Sequence, residues 1–94
     1  MHLEIVTPEA ILFSGEVDSV AVPGVEGEFE MLNNHAAIIS LLKEGNVKFY
    51  GSNINLNEKV SERFAKTEKR QGYYLPIKSG TVEMKDNNVV VLAD

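Results

Sequence analysis

Two glutamates flank a glycine in the run Glu26-Gly27-Glu28, about a quarter of the way along the chain. Two neighbouring carboxylates can act as general acid and general base when burial gives them different pKa values. The glycine indicates a turn, and nothing around it indicates an apolar pocket that would desolvate either carboxylate. Two interpretations remain: the glutamates make an exposed turn soluble, or their negative charges are complementary to a basic loop of a partner.

The chain has two histidines, His2 and His35, and no cysteine. A zinc site needs three or four ligands at close quarters, and the spacing of the carboxylates does not complete such a set. The glycines Gly24, Gly27 and Gly45 fall in predicted turns and do not form a phosphate-binding glycine loop. The sequence therefore predicts no metal and no cofactor.

Nucleophilic catalysis is also not indicated. Ser14, Ser19 and Ser40 could be combined with His35 and a carboxylate into a triad, but no glycine-flanked nucleophile elbow is present. His35 directly follows the Asn33-Asn34 pair, which breaks the backbone. We interpret it as a histidine of a loop or a strand edge, and we expect no catalytic residue.

Length, charge and composition narrow the function further. Ninety-four residues form one domain, which buries roughly 60–65% of its unfolded surface and leaves little room for a deep pocket. A net charge of −5 argues against nucleic acid as a partner. The beginning of the chain lacks the basic and apolar regions of a signal peptide, and its longest apolar run is far shorter than the ~20 residues that span a bilayer. We expect a soluble, cytoplasmic chain without membrane insertion.

Short stretches of alternating apolar and polar residues, separated by turn signals, predict an all-β fold: a flattened antiparallel sandwich or barrel of about 8–10 short strands. Pro23-Gly24 predicts the corner of a turn, and Asp86-Asn87-Asn88 a tight hairpin. The apolar run from Ala36 to Leu42 predicts a buried strand. The inward side chains of the alternating stretches predict a core of Leu3, Ile5, Val20, Val22, Phe29, Val47, Val82, Met84, Val89 and Val91.

The segment 52–72 fits this pattern less well. Val60 and Phe64 stand four residues apart and Asn57 could cap a helix, so a short helix or an irregular tip is expected. Residues 58–70 hold five basic and three acidic side chains, in contrast to the acidic remainder. We interpret the segment as an insertion between two strands. Its tip is either simply solvated or contacts a partner subunit or the membrane surface.

Several fragments, in this order, resemble one protein family. They are Phe13-Ser14-Gly15, the run Val20 to Gly24, Glu26-Gly27-Glu28, His35-Ala36, and the closing run Val89 to Asp94. Together they resemble the amino-terminal β-sandwich domain of the F-type ATP synthase epsilon subunit. The likeness covers Met1 to about Tyr50 and Tyr73 to Asp94, and segment 52–72 is about fifteen residues longer than the usual family pattern.

The resemblance implies a non-catalytic subunit of the central stalk, at the cytoplasmic face of the energy-coupling membrane. Such a subunit links the gamma subunit to the membrane rotor ring and couples ion flow to ATP synthesis. Glu26, Gly27 and Glu28 match the loop that faces the rotor ring of c subunits. His35, Ala36, Ile38 and Ser40 match the region that packs on the gamma subunit.

The family also includes a helical carboxy-terminal domain after Leu-Ala-Asp, and this chain ends at that point. It therefore resembles a short form, either because short members exist or because it is part of a longer chain, and the roles of those helices are not carried over. The alternative is a free-standing small β-domain that binds a ligand or acts as a carrier module. A carrier would need a lysine at a hairpin tip, and Asp86-Asn87-Asn88 has none.

Overall fold

The computed structural model describes residues 1–94 and consists almost entirely of β-strands. The only helix is a 3₁₀ turn, Ser61–Arg63. None of the helical structure is long and apolar enough to cross a membrane. The ten strands are β1 (His2–Val6), β2 (Ile11–Glu16), β3 (Ser19–Gly24), β4 (Gly27–Leu32), β5 (Ile38–Leu42), β6 (Gly45–Tyr50), β7 (Ala65–Lys66), β8 (Gly72–Ile77), β9 (Gly80–Lys85) and β10 (Asn88–Ala93).

The ten strands form one sheet that folds over on itself into two halves. The first half has the order β2-β1-β10-β9-β5, and the second has the order β4-β3-β6-β8-β7. A single pair of residues, Gly24 and Leu42, joins them. All neighbours are antiparallel except β1 and β10, which run parallel. The predicted antiparallel sandwich is confirmed, with this one parallel pair as an exception that the sequence did not indicate.

The inner faces of both halves supply one hydrophobic core. Nine of the ten side chains expected in the core are fully or almost fully buried, and Phe29 is half-buried against the same cluster. Phe13 of the first half and Phe49 of the second meet at a centroid distance of 4.7 Å. Contacts of this kind across the two halves make the sheet one unit, because apolar side chains left facing water would cost about 1.5–3 kcal/mol each.

The run from Ala36 to Leu42 was expected to be a buried strand. A strand is present over Ile38–Leu42, but the expectation that the run is buried is wrong. Ala36 and Ala37 precede the strand and are exposed, and β5 itself alternates. Ile38 and Ser40 pair with buried residues of β9 and lie on its inner side, whereas Ile39 and Leu41 are 76% and 64% exposed. The run is apolar at every position except Ser40 and so gives no period-2 signal, which is why its exposed face could not be recognised locally.

The turn expected at Pro23-Gly24 lies two residues later, at Val25-Glu26. Pro23 and Gly24 are the last residues of β3. The ladder between β3 and β6 ends at Ala21, so β6 does not need a hydrogen bond from a backbone N–H at position 23, and a proline is tolerated there. Gly24 is required for space, because an added Cβ would lie 2.8 Å from the Gly27 carbonyl oxygen. The expected hairpin after β9 is confirmed, with positive φ at Asp86 and Asn87.

Segment 52–72 packs against the hydrophobic core. Phe64 is buried in the core, and Ile54, Leu56 and Val60 pack against the core. The helix expected after Asn57 is reduced to one 3₁₀ turn. The Asn57 side chain accepts a hydrogen bond from the Lys59 N–H at 2.9 Å and so stabilises a turn that precedes it. The segment then forms β7, which pairs with β8.

Candidate functional site

The Glu26-Gly27-Glu28 run lies at the tip of the β3–β4 hairpin. Val25 and Glu26 form its two-residue turn, both are exposed, and Glu26 makes no ion pair. The Val25 N–H donates to the Leu41 carbonyl oxygen at 3.3 Å, which anchors the tip beside the end of β5. Gly27 follows the turn at φ 131°, where a side chain would be strained.

Glu28 differs from Glu26, because it already has a partner within the chain. It is the second residue of β4, and its Oε1 lies 3.1 Å from Nζ of Lys48 on β6. This hydrogen bond raises the pKa of Lys48. The structure therefore does not hold the two glutamates as an equivalent pair. One side chain is free at the tip, and the other bridges across β3.

The four residues expected to contact the gamma subunit lie in two different environments, an exposed loop and the inner side of β5. His35 and Ala36 are exposed in the loop before β5, where the Nδ1 of His35 lies 2.7 Å from the Ala36 carbonyl oxygen. Asn34, at φ 65°, donates its N–H to Oδ1 of Asn87 at 2.8 Å, so this loop lies beside the β9–β10 hairpin. Ile38 and Ser40 are half-buried on the inner side of β5.

The pairing register places a row of apolar side chains across the outer face of the first half. Leu41 pairs with Thr81, Thr81 with Leu92, Leu92 with Val6, and Val6 with Ile11. Leu41, Leu92 and Ile11 are each more than half exposed, as is Ile39 one row away. We call this row, Leu41, Leu92, Val6 and Ile11 together with Ile39, the apolar stripe. Sequence reasoning missed it because its members come from four separate strands.

The two candidate surfaces meet at one end of the molecule. The β5–β6 turn follows Leu42, which pairs with Gly80 directly after the β8–β9 turn. The hairpin tip is bonded to the same end of β5. His35 lies at the opposite end of β5. The hairpin tip is bonded to β5, and β5 carries part of the apolar stripe, so the position of the tip relative to the stripe is fixed.

The structure does bring a serine, a histidine and a carboxylate together. Ser14 was among the serines considered from the sequence, but its histidine is His2 and not His35. His2 Nε2 lies 3.2 Å from Oγ of Ser14, and His2 Nδ1 lies 3.1 Å from Oε2 of Glu16. His35 is not part of this group. Both contacts of His2 are exposed on β1 and β2, so water is not excluded from this cluster as catalysis by a triad would require. No group of three or more residues is arranged to hold a metal ion.

A folded sheet with a packed core, an exposed apolar stripe and a charged hairpin tip places the chain in the class of small β-sandwich domains. Residues 1–69 match the family model described as the ATP synthase delta/epsilon chain β-sandwich domain. The chain belongs to this family, as the resemblance in its sequence indicated.

The curated relatives agree with this assignment, and one solved structure shares the fold. The chain is 39% identical over 94 residues to the ATP synthase epsilon chain of Campylobacter curvus (strain 525.92), and 34% identical over 94 residues to that of Leptospira borgpetersenii. All of this chain aligns with each, but it spans 72% and 61% of their respective lengths. The fold is similar to a chain in the central stalk and c-ring structure of the Tetrahymena thermophila mitochondrial ATP synthase. The TM-score is 0.67 at 14% identity, with coverage of 99% of this chain and 62% of that one.

Proposed function

We propose that this chain is an epsilon-type, non-catalytic subunit of the central stalk of a rotary ATP synthase. It binds the gamma subunit with one surface and the membrane rotor ring of c subunits with another. The gamma subunit and the ring then rotate together, and ion flow is coupled to ATP synthesis. The observation that carries the proposal is the apolar stripe, because exposed apolar side chains gathered on one face are typical of a protein–protein interface. Family membership and the names of the relatives support the choice of assembly.

The gamma contact is assigned to the outer face of β5 and to the loop before it. His35 and Ala36 are exposed there and stay in the proposal. Ile38 and Ser40 also stay in it, but they contribute less because they lie on the inner side of the strand. Ile39 and Leu41 present the larger apolar area, and the apolar stripe extends the contact towards β2.

The rotor-ring contact is assigned to the hairpin tip, at Glu26, Gly27 and Glu28. Glu26 supplies the charge that a basic loop of the ring would meet, because it has no partner within the chain. Glu28 stays bonded to Lys48 and holds the strand behind the tip in place. Charge pairs of this kind set the register and specificity of a contact more than its affinity. The peripheral position, at the cytoplasmic face of the membrane, follows from this assignment.

Binding to the gamma subunit tests the apolar stripe. The double variant Leu41→Ser/Leu92→Ser should lose at least about 2 kcal/mol of binding free energy, which is about thirtyfold in Kd, since both side chains leave a desolvated contact. The matched control is Leu32→Ser, which removes a leucine of similar exposure from β4 in the other half. Isothermal titration with the purified gamma subunit gives the comparison. Equal affinities for the double variant and the parent would refute the assignment.

Proton or sodium pumping by the assembled enzyme tests the hairpin tip. Glu26→Lys should leave assembly intact and weaken ATP-driven ion pumping, because it places like charge against the ring. Glu62→Lys makes the same charge change at an exposed position of the 3₁₀ turn and is the control. Pumping by the Glu26 variant at the rate of this control would contradict the ring-facing role of the tip.

A further inference from the structure

One edge of β5 has no strand beside it over most of its length. β9 pairs with all of β5, but on the other side β3 reaches β5 only through the pair of Gly24 and Leu42. Next to this pair, the Leu41 carbonyl oxygen accepts the hydrogen bond from the Val25 N–H at 3.3 Å. The backbone groups of Leu41 therefore point away from β9, towards the open edge.

The alternation of a strand identifies the unpaired backbone groups on this edge. Successive residues direct their N–H and C=O groups to opposite edges, so Ile39 points to the same open edge as Leu41. The Ile39 N–H, the Ile39 carbonyl and the Leu41 N–H have no hydrogen-bond partner there. The side chains of both residues are more than half exposed. An edge with unpaired backbone groups and exposed apolar side chains is a template for an added strand.

The other free edges of the sheet have features that hinder such pairing. β7 has only two residues. β4 carries Glu28 and Glu30, which both form ion pairs. The ladder of β2 contains a register shift, and segment 52–72 lies beside this strand. Residues 38–42 (Ile-Ile-Ser-Leu-Leu) contain no charge and no proline, so the open edge of β5 lacks the usual protection against a further strand.

We propose that an extended segment of the gamma subunit pairs with this edge of β5 and adds a strand to the sheet. The inference rests on the function proposed above and specifies how the gamma contact is made. Side chains of the added strand would stand beside Ile39 and Leu41, so the segment should have apolar residues at alternate positions. Its row would then continue the apolar stripe, which begins at Leu41.

Backbone hydrogen bonds supply the affinity of such a contact, and the alternate side chains supply its specificity. A second copy of this chain fits the edge less well than the gamma subunit does. Two copies that each carry a net charge of −5 repel one another. The gamma subunit is also the partner assigned to the outer face of β5, which borders the edge directly.

Amide hydrogen exchange of the full chain, alone and bound to the purified gamma subunit, tests the added strand. In the free chain the amides of Ile39 and Leu41 should exchange faster than those of Ser40 and Leu42, which point to β9. In the complex the Ile39 amide should exchange at least about tenfold more slowly, because it gains a hydrogen bond. An Ile39 amide that exchanges equally fast in both states would overturn the proposal.

Proline at position 39 provides a second test. Ile39→Pro removes the N–H at the open edge and leaves the ladder with β9 intact, because an edge strand accepts proline where the N–H faces away from its neighbour. Ile39→Ala is the matched control, since it shortens the same side chain and keeps the N–H. Ile39→Pro should bind the gamma subunit at least about tenfold more weakly than Ile39→Ala in isothermal titration. Equal affinities of the two folded variants would reject strand addition.

The outcomes separate this inference from the function on which it rests. If Leu41→Ser/Leu92→Ser weakens binding but the Ile39 amide of the parent stays unprotected, strand addition is rejected and the proposed function stands. If the parent does not bind the gamma subunit, both are rejected. Protection of the Ile39 amide in the chain alone, together with a dimer in sedimentation velocity, would assign the edge to a second copy and reject the gamma segment.

Discussion

The ring of Phe64 stands edge-on to the ring of Phe49, with centroids 5.7 Å apart and planes at 90°. Phe49 is fully buried and contacts Phe13 of the other half as well. Phe64 comes from segment 52–72, so a segment that we interpreted as an insertion supplies one of the aromatic rings of the core. Whether it is an insertion relative to the family remains a prediction, but its packing makes it part of the stability of this chain.

Phe64→Ala should therefore lower the free energy of unfolding by about 3–5 kcal/mol, because it leaves a cavity against Phe49. Arg63→Ala, at the neighbouring exposed position, should change it by less than about 0.5 kcal/mol. Urea denaturation of both variants measures the difference. A loss of stability that is the same for both would show that Phe64 does not belong to the core.

Replacement of residues 53–71 by a two-residue Asn-Gly turn tests the whole segment. Loop closure alone would change stability by about 1 kcal/mol, since its entropy varies slowly with length. The burial of Phe64 and the packing of Val60 add to this, so removal should cost at least about 2–4 kcal/mol more. We expect the shortened chain to melt far below the parent in a thermal scan. A melting temperature close to that of the parent would show that the segment is dispensable.

The pair of Glu30 and Arg70 should make stability depend on pH. The hydrogen bond from Arg70, with a second from Ser19, holds the pKa of Glu30 below its usual value. A lowered pKa in the folded state stabilises the chain above the ordinary glutamate pKa of about 4.3, and this contribution disappears as the pH falls through the folded value. Both side chains are well exposed, so the contribution is at most about 1 kcal/mol.

Arg70→Gln should thus destabilise the chain more at pH 7 than at pH 3, as measured by urea denaturation at both values. Part of the loss will persist in acid, because the variant also removes the contacts with Tyr50 and Ser19. Glu30→Gln retains those contacts and should lose only the pH-dependent part. A pH-independent difference between parent and Glu30→Gln would contradict this account.

Glu26 and Glu28 should respond differently to charge reversal in the isolated chain. Glu26→Lys changes an unpaired side chain at the turn and should alter the free energy of unfolding by less than about 0.5 kcal/mol. Glu28→Lys places a second lysine beside Lys48 and should cost about 1 kcal/mol, with a smaller loss at high salt. Thermal scans at low and high salt distinguish the two. Equal effects would mean that the bond between Glu28 and Lys48 contributes nothing.

The sequence alone indicated most of the strands, most of the core and the family. Alternation such as that in Leu3-Glu4-Ile5 is a local signal, because successive side chains of a strand point to opposite faces. The core followed from the same signal: Val20, Val22, Val82 and Val91 are all fully buried. The positive φ angles at Asp86 and Asn87 were likewise indicated by residue type.

Only the tertiary structure decided which strands are neighbours and which surfaces remain exposed. The parallel pairing of β1 with β10 joins the two ends of the chain, and no local pattern encodes such a choice. The apolar stripe, the open edge of β5 and the bond between Glu28 and Lys48 all depend on the register between strands that are distant in sequence. Ile39 is exposed because no other segment covers it, whereas Phe64 is buried because other segments pack around it. Burial is therefore a property of the whole fold.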